Sequence, residues 1–159
     1  FFLFTATFAS AQKCGHLNFG NLVTMMPETK VANKQLEAFQ EELNKKGNKM
    51  VADYQDQYAK LEKDYESGAL SALEQQKRGE ALEKKQHEIM AFEGEIEQLV
   101  EKKREELLKP IVKKAEQAIK KVAEENGYEA VLDTSVFNAV LYAIESKNII
   151  LLVKAELGI

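Results

Sequence analysis

The residues predict an α+β fold, mainly helical, in which a long antiparallel helical hairpin is inserted into a small β body. Three observations carry this reading. A helix-favouring stretch free of internal proline runs from Pro27 to about Ser67. A second begins only a few residues later and extends to Asn126-Gly127. Segments of period-two, β-rich sequence lie outside both, near the two ends of the chain.

The chain opens on Phe1-Phe2-Leu3-Phe4-Thr5-Ala6-Thr7-Phe8 and closes this apolar run on Ala9-Ser10-Ala11, the small-x-small pattern of a signal-peptidase site. Residues 1–11 therefore read as the remnant of a secretory leader, with the mature start near Gln12; a buried first strand is the alternative. The run is too short to span a bilayer, and no later stretch approaches the roughly 20 apolar residues a transmembrane helix needs. Cys14 follows Gln12-Lys13, where lipid attachment would want a small residue, so it reads as an unpaired thiol in a fold not held by disulfides.

Residues 12–34 are assigned to the body, with Gly15-His16-Leu17-Asn18-Phe19 as a short strand. Residues 35–109 form the arm. Pro27 suits the first turn of a helix, Ser67-Gly68 supplies a left-handed stop, and Ser71-Ala72-Leu73-Glu74 is a capping box. Two long helices joined by so short a turn must fold back on each other. The apolar stripe Leu36, Phe39, Leu43, Met50, Tyr54, Tyr58, Leu61, Tyr65 on the first helix faces Leu82, Ile89, Phe92, Ile96, Leu99 on the second. The first stripe repeats every eleven residues and the second every seven, which leaves the supercoil hand open. Pairing about the tip puts Gly47 opposite Phe92. Gly47 and Gly94 then read either as a soft point or as tolerated surface glycines. From Gln35 to the tip the arm spans roughly 50 Å.

Residues 110–159 return to the body: the end of the second helix, strands at Tyr128–Asp133 and Ala139–Tyr142, and a C-terminal helix. Pro110 marks either a kink or a change of register. Two or three short strands make no stable sheet alone, and their exposed edges want partners, most simply copies of the same chain around an axis.

Little here supports catalysis. The only histidines are His16 and His87, the latter on an exposed charged helix face, and there is no glycine-rich phosphate loop. No enzyme activity, cofactor, metal or nucleic-acid partner is expected. Cys14 and His16 share a strand face and could serve as soft ligands; a packed thiol beside a histidine is the plainer reading. The arm, charged and thinly apolar, offers Met50, Tyr54, Tyr58, Leu61, Tyr65, Leu70 and Leu73 as small contact patches, unless they serve only the seam.

Taken in order, Met26-Pro27-Glu28, Leu107-Leu108-Lys109-Pro110-Ile111, Glu125-Asn126-Gly127-Tyr128, Val131-Leu132-Asp133 and the end Leu157-Gly158-Ile159 around a long hairpin resemble the Skp/OmpH family of periplasmic chaperones. The resemblance implies a homotrimer in which three bodies merge, with Leu17, Phe19, Leu132 and Leu141 in the shared body. It also implies that three arms enclose a cavity for unfolded outer-membrane proteins, held without ATP. A structural coiled-coil spacer or docking protein of the envelope is the alternative. Cys14 and His16 stand where the family carries aliphatic residues, and Ile150-Leu151 where it starts a helix with Thr and a polar residue. Residues 35–109 hold 13 Lys/Arg against 18 Asp/Glu, a net of −5, with +1 over the rest giving the total of −4. An acidic arm disfavours a lipopolysaccharide or membrane contact.

Overall fold

A computed structural model describes residues 12–159; the leader remnant read at residues 1–11 lies outside them. The elements are β1 (Cys14–Leu17), α1 (Phe19–Met25), α2 (Pro27–Glu66), α3 (Ala72–Asn126), β2 (Ala130–Asp133), a single 3-10 turn (Glu145–Lys147) and α4 (Ile150–Leu157). Two compact units result. Among the described residues, one holds residues 12–31 and 107–159, and the other holds Ala32–Glu106.

The second unit is the hairpin. Its tip is built by local signals: Gly68 takes φ 69, a left-handed turn a side chain would resist. The Ser71 hydroxyl caps the amide of Glu74, whose carboxylate in turn accepts from the Ser71 amide and hydroxyl. The seam is narrow. Leu43, Leu82 and Phe92 are 7–8% exposed and are its deepest large side chains, while Leu36, Phe39, Leu61, Ile89, Ile96 and Leu99 are only half-buried. Phe92 lies opposite Gly47, its ring 3.6 Å from where a β-carbon would sit, and Lys46 places its ammonium over the same ring. Asp53 pairs across the hairpin with Lys85, and Asp64 with Arg78.

The body is built differently. β1 and β2 pair in parallel, Cys14 with Ala130 through Leu17 with Asp133. A parallel pair cannot be closed by a tight turn and needs a long crossover; here the whole helical hairpin is that crossover. Asn148 bridges to His16, and the Ile149 amide donates to the His16 carbonyl at 2.9 Å. Leu17, Leu22, Met26, Ile149 and Val153 are all under 2% exposed. Ile111, Ala115, Ala118 and Val122 add a buried stripe at helical spacing along the last turns of α3. Gly15 is fitted to this core: a β-carbon there would come within 3.0 Å of Ile149 Cγ2 and 3.2 Å of the Tyr128 ring.

Two expectations are revised. The strand read at Gly15–Phe19 ends at Leu17. Asn18 caps a short helix by accepting from the Asn21 amide at 2.8 Å, so Phe19 begins α1, and Asp133 Oδ1 accepts from its amide. Met26, extended before Pro27, separates α1 from α2, because the proline ring disfavours helical backbone in the residue before it. Ala139–Tyr142 forms no strand within the chain and follows a left-handed Asn138 at φ 59. At Pro110, α3 continues, with one helical hydrogen bond forgone.

Candidate functional site

On the arm, the seven residues singled out as contact patches divide by exposure. Tyr58, Tyr65 and Leu73 are 52%, 61% and 61% exposed, whereas Met50, Tyr54, Leu61 and Leu70 are half-buried. The reason is helical phase. Tyr54 and Leu61 lie nearer the seam, and Tyr58 and Tyr65, seven apart, drift onto its flank. Tyr54 still contributes, stacking on Tyr58 with ring centroids 6.2 Å apart and 28° between planes.

Three shallow depressions follow the hairpin. One of about 220 Å³ is lined by Tyr58, Leu61, Glu62, Tyr65 and, from α3, Gln75. A second, lined by Gln57, Lys60, Arg78, Ala81 and Leu82, measures about 270 Å³. The third is small and brings Met50 together with Asp53, Lys85, Glu88 and Ile89. The first thus gathers three of the expected residues, while Tyr54, Leu70 and Leu73 line none of the three depressions. Glu62, Gln75 and the 61% exposed Met90 went unread in the sequence. Glu62 was legible in principle, four residues after Tyr58 and three before Tyr65, hence on one helical face with both. Met90 lies just beside the heptad of Ile89 and Ile96 and carries no separate signal.

Electrostatically the arm is a set of matched pairs with gaps. The Lys85 ammonium, hydrogen-bonded to Asp53, holds that carboxyl below its ordinary value. Asp56 raises the Lys60 ammonium in the same way. Arg78 meets Asp64 at 2.7 Å. Glu62 takes part in no ion pair among the described residues.

In the body the expected residues also separate. Leu17 is buried within its own chain and Phe19 is half-buried, but Leu132 is 47% and Leu141 88% exposed. Around Leu141 the segment after β2 leaves Val136, Phe137, Tyr142 and Ile144 on the surface, with Phe137 90% exposed. A run of large apolar side chains this exposed marks an interaction surface. The segment is nevertheless anchored: Asp133 accepts from the Ser135 amide and hydroxyl at its start, and His16 Nε2 shares a 3.0 Å hydrogen bond with the Ile144 carbonyl at its end. Burial pushes the Asp133 carboxyl up, but its hydrogen bonds from Ser135 and Phe19 outweigh that and leave it below the ordinary range. His16 is buried and so engaged, while Cys14 is exposed. Among the described residues no group of three or more His, Cys, Asp or Glu is placed to hold a metal ion, and no helix is long and apolar enough to cross a membrane.

A family model described as outer membrane protein (OmpH-like) matches residues 13–157. The chain is 30% identical over 133 residues to the chaperone protein Skp of Vibrio cholerae, covering 79% of this chain and 73% of that protein. To the chaperone protein Skp of Photorhabdus luminescens it is 27% identical over 146 residues, covering 92% and 86%. In structure it is similar to a protein described as an OmpH-like outer membrane chaperone of Caulobacter crescentus CB15. The TM-score is 0.76 over 98% of this chain and 90% of that one, at 15% identity, a likeness of fold alone.

Proposed function

The chain belongs to the OmpH-like family, and from that premise we propose that it is an ATP-independent periplasmic holdase, a homotrimer whose arms enclose unfolded outer-membrane proteins and keep them from aggregating. No covalent step is involved. The observation that supports this best is the pair Tyr58 and Tyr65, half or more exposed on a helix whose seam is closed by other residues. A ring left in water on a helix that does not need it for its own packing is available to another chain, and its hydroxyl stays wet whether or not a client is present.

Each patch is small. A single one is worth on the order of 1 kcal/mol, so holding must come from many at once, which suits a chaperone that has to let go. Trimerisation raises the number of arms around one client. It is supported by the exposed apolar segment from Val136 to Ile144 and by the β2 strand, paired with β1 on one side only. Leu141→Asp is expected to break the trimer to monomers in sedimentation while leaving the helical signal of the arm.

The test of holding is a variant with Met50, Tyr54, Tyr58 and Tyr65 all changed to Ser, checked first for helix content and trimer. It is expected to lose suppression of aggregation of a β-barrel protein diluted from urea, where Tyr58→Ser alone weakens it only slightly. Full holding by a helical, trimeric quadruple variant would move the function to the spacer reading.

A further inference from the structure

We propose that the depression bounded by Tyr58 and Tyr65 is a subsite for a long cationic side chain, Lys or Arg, carried by an extended segment of the client. The inference rests on the reading that the arm holds clients, and it names what one part of the arm selects.

Two aromatic residues and a carboxylate share this depression. Tyr58, Glu62 and Tyr65 lie on one face of α2 at spacings of four and three, and Gln75 closes the other side from α3. Tyr58 stacks on Tyr54, a contact that favours the ring position forming the wall. Aromatic faces attract cations, and a carboxylate beside them favours a basic group over a merely apolar one. The methylene stem of Lys or Arg would lie along the rings and Leu61 while the charged head meets Glu62.

Charge complementarity separates this site from its neighbours. In the second depression both cations already have partners, Lys60 with Asp56 and Arg78 with Asp64. In the third, Lys85 is taken by Asp53, and Lys84 stands beside Glu88. Glu62 has no base three or four residues away on its own helix, where Tyr58, Ala59, Tyr65 and Glu66 stand, and no ion pair among the described residues. Glu62 therefore keeps its charge free for a basic group from outside the chain, and an arm of net −5 draws one in.

The probe is a short capped peptide of alternating Val and Thr with one central Arg, compared with the same peptide carrying citrulline, which keeps the shape and loses the charge. Binding to the full chain is followed by calorimetry and by NMR of the tyrosine rings. The Arg peptide is expected to bind about three- to fivefold tighter, with Tyr58 and Tyr65 shifting together. Glu62→Gln should erase that preference. Glu97→Gln, which removes the same charge elsewhere on the arm, should keep it. Equal binding of the two peptides overturns the subsite, and so does equal loss in both variants, which would reduce it to bulk attraction. Suppression of β-barrel aggregation by the same proteins reads the holdase function separately. Arg preference without holding would keep the subsite and sink the chaperone reading, and holding without Arg preference does the reverse.

Discussion

The two units of this chain achieve stability by opposite means. In the body five large side chains fall below 2% exposure, and residues far apart in sequence supply them: Leu17 and Leu22 from one end, Ile149 and Val153 from the other. In the hairpin the deepest large side chains stay at 7–8%, and most of the structure is helix held by its own backbone, caps and ion pairs. The body is specified by fit and the hairpin by period. A thin seam leaves rings such as Tyr58 partly in water, which a thick core would have consumed.

The largest break in this contrast is expected from truncating one leucine in each unit. Leu22→Ala opens a cavity in a filled core and should cost about 3 kcal/mol in urea denaturation of the body, while Leu43→Ala, beside solvent on a narrow seam, should cost about half as much. Equal costs would mean that the seam is packed as rigidly as the core.

Alanine at two glycines should come next, with effects of opposite sign. Gly15→Ala forces a β-carbon to 3.0 Å from Ile149 Cγ2 and should destabilise the body by about 1–2 kcal/mol. Gly47→Ala places the same atom at an ordinary 3.6 Å from Phe92 and removes a helix-interior glycine, so it should raise arm stability, by about 0.5–1 kcal/mol, seen as slower amide exchange around it. A loss at Gly47 would show that the hairpin needs the gap.

Ser71→Ala tests the capping box and should cost about 1 kcal/mol, confined to exchange near the tip. The smallest effect is a pH dependence. The folded Asp133 carboxyl lies below its ordinary value near about 3.9, so its contribution is complete above that pH and fades as pH falls through the lower folded value. Asp133→Asn should therefore lower the denaturation midpoint of the body at pH 7, and its deficit against the native chain should shrink on acidification to pH 3. A constant deficit would assign the effect to shape rather than charge.

What the sequence disclosed follows the same division. Both arm helices, their caps at Gly68, Ser71 and Gly127, and the meeting of Gly47 with Phe92 were legible, because each depends on neighbours within a few turns or on a simple count from the tip. The body was harder. Helix α1 hides behind Gly20, Val23 and Thr24, poor helix formers held by the Asn18 cap and the buried Leu22. Ala139–Tyr142 is as apolar and β-prone as a strand, yet it joins no ladder within the chain although β2 is paired on one side only, so local composition does not by itself specify a strand. At the candidate site, periodicity found the tyrosines but could not tell Tyr54 from Tyr58. Exposure on a narrow seam turns on about 40° of helical phase, the offset between residues four apart, and one more glutamate such as Glu62 among so many looks like solvated surface.

The crossover between β1 and β2 also sets an order of events in time. Contacts of the hairpin join residues as few as 14 or 32 apart, as in Arg78 with Asp64 and Lys85 with Asp53. Phe19 must wait for Asp133, 114 residues later, and His16 for Ile144, 128 later. A chain emerging from its amino end therefore completes its helices while β1 is still without a mate, and the polypeptide's two ends find each other last. Removing α4 from the nascent chain, which carries Val153, should stall that closing step and leave the hairpin already formed.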